Sequence, residues 1–239
     1  MNIQEKKVAF ITGGSKGIGY GIAEALLKEG YNVAITSRKK ESADKAAAAL
    51  NQISNDAVAF GIESDVTDFE AQQMAVKKTL EKFNRIDVVI ANAGIGRFAS
   101  VEDLTIEQWQ ETIDTNLSGP FYTLKATLDQ LKKNRGYFIS ISSLAGTNFF
   151  KGGSAYNASK FGLTGFTQAA MLDLREYGIK TTTIMPGSVS TFFNGNEPNP
   201  DDAWKIQIED IGRMVSDLLK MPERTLPSKI EVRPTIPGK

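Results

Sequence analysis

The stretch Thr12-Gly13-Gly14-Ser15-Lys16-Gly17-Ile18-Gly19 follows the apolar run Val8–Ile11 and decides the fold class. Glycine permits a positive φ and lets the backbone approach an anion closely. Residues 17–30 then carry apolar side chains at helical spacing. A helix that begins here presents unpaired N–H groups and the positive end of its dipole to a phosphate. The stretch therefore predicts a strand, a phosphate-binding turn and a helix, in this order.

The rest of the chain repeats this alternation of strands and helices. Strands are predicted at residues 8–11, 32–36, 57–62, 86–91, 137–141, 180–185 and 229–233. Between them, helical patterns cover residues 43–50, 105–133, 155–177 and 208–219, and another helix opens near Thr67. Such alternation implies right-handed crossovers and a mostly parallel sheet with helices on both faces. We predict an α/β fold: a single doubly wound Rossmann domain over residues 1–239, with about seven strands.

Three local patterns carry more specific predictions. Thr67-Asp68-Phe69-Glu70 has the spacing of a capping box, which predicts that Thr67 caps the third helix. Pro120 is expected to bend or interrupt the long helix that contains it, because proline lacks the backbone N–H. Residues 194–202 are rich in Asn, Pro and Gly and are predicted to form a loop.

Composition excludes several classes of function. Lys+Arg (28) balances Asp+Glu (28), so no long-range field favours nucleic acid or an anionic membrane. The chain has no Cys and no His, which removes disulfides, thiolate nucleophiles, His-dependent triads and Cys- or His-ligated metals. The acidic residues at 201–202 and 209–210 lack a coordination spacing, and we predict no metal. With no apolar run of about 18 residues, we expect a cytoplasmic protein.

The end of the second predicted strand bears on the choice of cofactor. Dinucleotide sites specific for NAD usually place an acidic residue here to hold the ribose 2′-hydroxyl. This chain has Ser37 and Arg38 instead, and Lys16 in the glycine turn adds a second cation. Because a guanidinium can pair with a 2′-phosphate, the pattern favours NADP(H), and NAD(H) is the less favoured alternative.

Tyr156-Asn157-Ala158-Ser159-Lys160 places a tyrosine and a lysine four residues apart, on one face of a predicted helix. The pKa of tyrosine is ordinarily near 10, and a nearby ammonium group stabilises the phenolate and lowers it. Tyr156 is therefore expected to give a proton to a ketone or take one from an alcohol. Ser143 follows the fifth predicted strand, where its hydroxyl would position the substrate oxygen; Ser142 remains the alternative.

The order and spacing of these strings resemble the short-chain dehydrogenase/reductase family over nearly the whole chain. Gly13, Gly17 and Gly19 resemble its TGxxxGxG signature, and residues 92–94 resemble its NAG motif. The resemblance implies that Asn116, Ser143, Tyr156 and Lys160 are catalytic, with Asn116 holding a water that links Lys160 to solvent. The cofactor-binding residues it implies are Gly13, Ser15, Lys16, Gly17, Ile18, Gly19, Ser37, Arg38, Asp65, Val66, Asn92, Ala93, Gly94, Tyr156, Lys160, Pro186, Gly187, Val189 and Thr191.

The implied function is reversible hydride transfer between NADP(H) and a carbonyl compound or secondary alcohol, with Tyr156 as general acid and base. Candidate substrates are 3-oxoacyl thioesters and small alcohols or hydroxy acids. The chain ends without the Asp-Gly-Gly turn common in 3-oxoacyl carrier-protein reductases, which weighs against an acyl-carrier substrate. A non-catalytic NADP(H)-binding sensor or scaffold is the alternative function. The resemblance also implies a homotetramer or homodimer.

Overall fold

In this computed structural model, residues 6–54 and 56–236 are described. A seven-stranded sheet has the order β3-β2-β1-β4-β5-β6-β7, and every neighbouring pair is parallel. The strands are β1 (Val8–Ile11), β2 (Asn32–Ser37), β3 (Ala59–Glu63), β4 (Val88–Ala91), β5 (Tyr137–Ile141), β6 (Lys180–Pro186) and β7 (Lys229–Val232). All seven predicted strands are confirmed.

Helices cover both faces of the sheet. They are α1 (Gly17–Lys28), α2 (Lys40–Leu50), α3 (Phe69–Phe83), α4 (Ile106–Ile113), α5 (Gly119–Asn134), α6 (Ser154–Leu174) and α7 (Ile208–Leu219). Apolar side chains of α1, α2 and α7 pack on one face, and those of α3, α5 and α6 pack on the other. Because successive strand residues point to opposite faces, Ala9 and Ile11 join the first core while Phe10 joins the second. The doubly wound Rossmann fold is confirmed.

The direction in which the chain adds strands reverses beside β1. From β1 it proceeds outward to β2 and β3, and it then returns to place β4 on the other side of β1. The two connections leave the sheet in opposite directions, so a crevice opens at the carboxyl ends of β1 and β4. This crevice is where the fold places a ligand.

Local structure departs from the sequence predictions at the cap of α3 and in the predicted loop at 194–202. Asp68, one residue after the predicted Thr67, caps α3, and its carboxylate accepts from the amide of Ala71. Thr67 instead donates its hydroxyl to Asp65. Part of the predicted loop at 194–202 belongs to two short 3₁₀-helices, Phe193–Gly195 and Pro200–Trp204.

The long helix predicted over 105–133 is interrupted, as Pro120 suggested, but by a π-helix rather than by a break. The π-helical segment Asp114–Ser118 joins α4 to α5. Pro120 lies in the first turn of α5 and has no N–H to donate to the carbonyl of Asn116, four residues earlier. π-Helical turns are rare and often occur at functional sites.

None of the helices within residues 6–54 and 56–236 combines the length and the hydrophobicity needed to cross a bilayer. In the same part of the chain, no three acidic side chains converge into a candidate metal site. Asp202 pairs with Lys205, and Asp210 takes part in the capping box of α7. These acidic residues therefore have structural partners.

Candidate active site

A cavity of about 850 Å³ occupies the crevice at the carboxyl edge of the sheet. Its volume lies within the range of small-molecule and cofactor sites, about 300–1,000 Å³. The glycine turn and the end of β2 line one end of the cavity, while Ser143, Tyr156 and Lys160 line the other. The structure thus brings the predicted phosphate-binding turn and three of the four predicted catalytic residues into one cavity, whereas Asn116 does not line it.

The glycine turn has the conformation that its sequence requires. Gly13 and Gly17 adopt φ of +64° and +60°, a region that L side chains rarely occupy. A Cβ atom at Gly19 would lie 2.5 Å from the Gly13 oxygen and 2.5 Å from Nδ2 of Asn92. The helix α1 then begins with no side-chain cap and no acidic residue in its first turn. Its first amides and dipole are therefore suited to a phosphate group, so the residues present fit a dinucleotide.

Lys16, Ser37 and Arg38 all line the end of the cavity that lies beside β2. The side chains of Lys16 and Arg38 are exposed, and the Lys16 ammonium group lies 5.4 Å from the ring centroid of Phe192. Asp65 and Val66 line the same end; the Asp65 carboxylate accepts from the amide and hydroxyl of Thr67. This end carries cations where an NAD site would carry an acid.

Residues 92–94 join the two ends of the cavity. The Asn92 side chain donates to the carbonyls of Thr12 (2.9 Å) and Gly13 (3.1 Å), which fixes the glycine turn. A Cβ atom at Gly94 would lie 3.3 Å from Oδ1 of Asn116 and 3.6 Å from Nζ of Lys160. Glycine at 94 therefore keeps the space between these two side chains open.

Tyr156 projects from α6 and is 9% exposed. Burial raises the pKa of Tyr156, and a hydrogen bond with Ser143 partly opposes this shift. The Ser143 hydroxyl accepts from the amide of Ala145 (3.1 Å). Ser142, the alternative, is buried and donates its hydroxyl to the carbonyl of Lys160 (3.2 Å). Ser143 is thus the serine that is placed beside the tyrosine hydroxyl.

Lys160 lies one helical turn after Tyr156 and is 4% exposed. Its ammonium group donates to the carbonyl of Ile141 (3.0 Å) and lies 5.7 Å from the centroid of the Tyr156 ring. Desolvation lowers the pKa of Lys160 from 10.5 to about 8. The predicted lowering of the tyrosine pKa by this ammonium group is wrong for the structure: burial raises the pKa of Tyr156, and the hydrogen bond with Ser143 is what opposes the increase.

Asn116 sits in the π-helical segment and is fully buried. Its side chain accepts from the amide of Ile95 (2.8 Å) and donates to the carbonyl of Ile95 (2.8 Å) and the hydroxyl of Ser159 (3.0 Å). These bonds tie the loop after β4 to α6, the helix that carries Tyr156 and Lys160. The predicted water-holding role of Asn116 stays a prediction.

The segment after β6 closes the catalytic end of the cavity. Pro186, Gly187, Val189 and Thr191 all line the cavity, as predicted for contacts with a nicotinamide ring. Val189 forms a parallel bridge with Ile206. The Thr191 hydroxyl accepts from the amide of Phe193 (3.3 Å). The remaining predicted cofactor residues that line the cavity are Ser15, Ile18 and Ala93, whereas Gly19, also predicted to bind the cofactor, does not line it.

Sequence reasoning missed Phe98, whose ring lies 5.4 Å from that of Tyr156, centroid to centroid. Its only sequence signal is its place four residues after Gly94, in the loop at the carboxyl end of β4. Among the other phenylalanines near the site, Phe192 and Phe193 line the cavity and Phe150 packs on Phe98, whereas Phe149 is 85% exposed.

Comparisons with known proteins agree with this geometry. Residues 7–202 match the family model of the short chain dehydrogenases. A trans-4-hydroxycyclohexanecarboxylate dehydrogenase of Sinomonas cyclohexanicum is 38% identical over 190 residues, which cover 78% of this chain and 73% of that protein. An uncharacterized oxidoreductase of Staphylococcus aureus strain USA300 is 34% identical over 235 residues, 98% of this chain and 100% of that one.

A solved structure extends the likeness to the fold. The alcohol dehydrogenase from the archaeon Thermococcus sibiricus, complexed with 5-hydroxy-NADP, matches with a TM-score of 0.91 and 33% identity. The match covers 98% of this chain and 100% of that one. The chain therefore belongs to the short-chain dehydrogenase/reductase family and is an oxidoreductase of that family.

Proposed function

We propose that this protein is an NADP(H)-dependent oxidoreductase that interconverts a carbonyl compound and a secondary alcohol. One observation carries the proposal: Ser143, Tyr156 and Lys160 line one end of a cavity whose other end is the glycine turn followed by Arg38. The distance between the ends is spanned by residues 92–94 at the switch point of the sheet. A dinucleotide laid along the cavity would place its reactive ring beside Tyr156.

A bound nicotinamide supplies the hydride that passes reversibly between its C4 atom and the carbonyl carbon. Tyr156 donates its hydroxyl proton to the carbonyl oxygen during reduction and accepts a proton during oxidation. The raised pKa of Tyr156 keeps the hydroxyl protonated near neutral pH, the form that reduction requires. The Ser143 hydroxyl holds the substrate oxygen within reach of this proton.

The buried Lys160 ammonium group would hold the ribose beside the nicotinamide and would return a proton to Tyr156 after reduction. Asn116 approaches the same space from the π-helical segment, with Gly94 between them. We propose that a water held there by Asn116 connects Lys160 with solvent. Lys160 then exchanges its proton without leaving its bond to Ile141.

Cofactor choice is assigned to the end of β2. The exposed guanidinium of Arg38, with Ser37 and Lys16 beside the same part of the cavity, suits a 2′-phosphate. Because no acidic residue occupies the position that holds a ribose 2′-hydroxyl, the site should bind NAD(H) more weakly than NADP(H). The Thermococcus sibiricus alcohol dehydrogenase, which is complexed with 5-hydroxy-NADP, supports this choice.

Candidate substrates are 3-oxoacyl thioesters and small alcohols or hydroxy acids. The name of the Sinomonas relative, a dehydrogenase of a cyclic hydroxy acid, supports the second class. We also propose a homodimer or homotetramer, since α5 and α6 leave Phe121, Phe161 and Leu172 exposed. The cytoplasmic location predicted from the sequence stays a prediction.

The test is oxidation of NADPH and NADH by the purified protein over a panel of β-keto esters, β-keto thioesters, aldehydes and diketones. We expect turnover of at least one class, with kcat/KM for NADPH above that for NADH by about tenfold. Tight NADPH binding without turnover of any carbonyl would favour the non-catalytic sensor or scaffold. Equal use of both cofactors would contradict the role given to Arg38.

A further inference from the structure

Phe98, Phe150 and Phe193 form a continuous aromatic surface beside Tyr156, which we call the phenylalanine wall. The ring of Phe98 lies edge-on to that of Tyr156, with centroids 5.4 Å apart, and the ring of Phe193 lies 5.7 Å from it. Phe98 contacts Phe150 at 5.6 Å and Phe193 at 6.4 Å. Because Tyr156 carries the transferable proton, the wall borders the place of the reacting carbonyl.

The wall is assembled from three separate parts of the chain. Phe98 lies after β4, Phe150 precedes α6, and Phe193 follows β6. Gly96 lets two of the rings approach, since a Cβ atom there would lie 2.8 Å from the Phe193 ring and 2.9 Å from the Phe98 ring. Packing of aromatic edges against neighbouring faces holds such a cluster together.

The wall leaves hydrophobic surface open to solvent. Phe98 is 43% exposed and Phe150 is 48% exposed, although both contact other rings. Adjacent exposed aromatic side chains at the edge of a cavity are typical of a binding site for an apolar group. A hydrophobic ring attached to the carbonyl would cover this surface while its oxygen lies at the hydroxyls of Tyr156 and Ser143.

Two of the cations that line the cavity, Arg97 and Lys205, are paired with acidic residues. The Arg97 guanidinium binds both oxygens of the Glu111 carboxylate, at 2.9 and 3.1 Å, and Lys205 binds Asp202 at 2.5 Å. Both cations line the cavity. A substrate carboxylate would therefore have to displace an acidic partner to pair with Arg97 or Lys205, whereas a neutral substrate would leave both pairs intact.

We propose, building on the function proposed above, that the substrate is a neutral carbonyl compound with a hydrophobic ring next to the carbonyl. Phe98 is the specificity-determining residue, because it is the member of the wall that contacts Tyr156, Phe150 and Phe193 together. The ring of the substrate packs against Phe98, and this contact positions the carbonyl oxygen for proton transfer from Tyr156.

The test compares 1-phenylpropane-1,2-dione with butane-2,3-dione at saturating NADPH. Both carry the same reacting dicarbonyl, and only the first carries a ring. We expect the wild type to favour the phenyl compound in kcat/KM by about tenfold or more. Phe98→Ala should remove most of this preference through a higher KM, and Phe98→Leu should keep part of it. Phe149→Ala, a change at an exposed phenylalanine outside the wall, is the matched control and should keep the preference.

Charge is tested with methyl benzoylformate and benzoylformate, which share the phenyl ring and ketone. The neutral ester should have the higher kcat/KM. Binding is tested without turnover by saturation-transfer NMR of 1-phenylpropane-1,2-dione in the presence of NADP⁺. Its ring protons should receive saturation from the wild type and from Phe149→Ala, and much less from Phe98→Ala.

The outcomes separate the two proposals. If the wild type reduces both diketones equally well, or Phe98→Ala slows both by the same factor, the assignment of a ring-bearing substrate is overturned and the proposed function stands. A higher kcat/KM for benzoylformate than for its ester overturns the neutral substrate. If no carbonyl compound is reduced at all, the proposed function fails and the ring-bearing substrate fails with it. Circular dichroism and NADPH affinity show whether each variant is folded.

Discussion

The two ends of the cavity place positive charge in opposite surroundings. Beside β2, Lys16 and Arg38 stand exposed at the surface. Beside β5, Lys160 is 4% exposed, and its ammonium group is held by a backbone carbonyl of Ile141. Desolvation lowers the pKa of Lys160 to about 8, so its charge depends on the pH at which enzymes work.

This difference indicates a division of labour. An exposed cation is screened by water and salt, and its pairing with a phosphate contributes modestly to affinity. It can therefore select one cofactor over another without affecting the chemistry. A buried ammonium group is sensitive to every change near it, and it lies beside the tyrosine that transfers the proton. Substitutions at the two ends should consequently have effects of different kind and size.

The largest effect is expected for Tyr156→Phe, which removes the proton donor and leaves the exposed end of the cavity intact. The kcat for carbonyl reduction should fall by about 10²–10⁴-fold, the usual contribution of general acid catalysis. The NADPH dissociation constant, measured by fluorescence titration, should stay unchanged. Tyr177→Phe, a change at an exposed ring outside the cavity, is the control and should keep full activity. A Tyr156→Phe variant with most of its kcat would remove the proposed acid.

An intermediate effect is expected from the pH dependence of NADPH binding. The Lys160 ammonium group is present below pH about 8 and loses its charge as the pH rises through this value. NADPH affinity should therefore decrease by up to about tenfold from about pH 7 to about pH 9. Fluorescence titrations over this range measure the change.

Lys160→Met supplies the control for this pH dependence. The methionine fills a similar volume without a titrating group, so the variant should bind NADPH more weakly and without the inflection near pH 8. If the wild type and Lys160→Met showed the same pH profile, another group would be responsible, and the contrast between the two ends would be lost.

The smallest effect is expected for Arg38→Asp at the exposed end. The carboxylate repels a 2′-phosphate and accepts from a ribose 2′-hydroxyl, so kcat/KM for NADPH should fall by about fivefold while that for NADH is maintained or rises. Steady-state kinetics with each cofactor measure the ratio. Lys39→Asp changes charge equally at the next residue, outside the cavity lining, and should leave the ratio unchanged. An equal loss with both cofactors would mean that Arg38 does not select between them.

The sheet was predictable because the apolar run of each strand and the alternation of strands and helices along the chain indicate the same fold. Runs such as 88–91 are apolar throughout, as expected of a parallel strand covered on both faces, and helical patterns separate them. The glycine turn was predictable for the same reason, since its φ values leave little choice of residue. These features depend on neighbours in sequence, which a single chain displays.

The features that escaped prediction depend on neighbours in space. The Tyr156 pKa follows from burial by surrounding elements, and it shifted in the opposite direction to that suggested by Lys160 four residues away. Phe98 gains its importance from Phe150 and Phe193, which come from distant parts of the chain. The cap of α3 lies one residue after the predicted Thr67, because the Thr67 hydroxyl donates to Asp65 instead.

At the π-helical segment Asp114–Ser118, the structure depends more on the number of residues than on their identity. A π-helical turn contains one residue more than an α-helical turn, and each residue of an α-helix turns the chain by about 100°. Deleting a single residue here would allow a continuous α-helix from Ile106 onward, and it would remove the wide turn that carries Asn116 between Ile95 and Ser159. Relatives with the same site should thus vary in sequence along this stretch while rarely gaining or losing a residue.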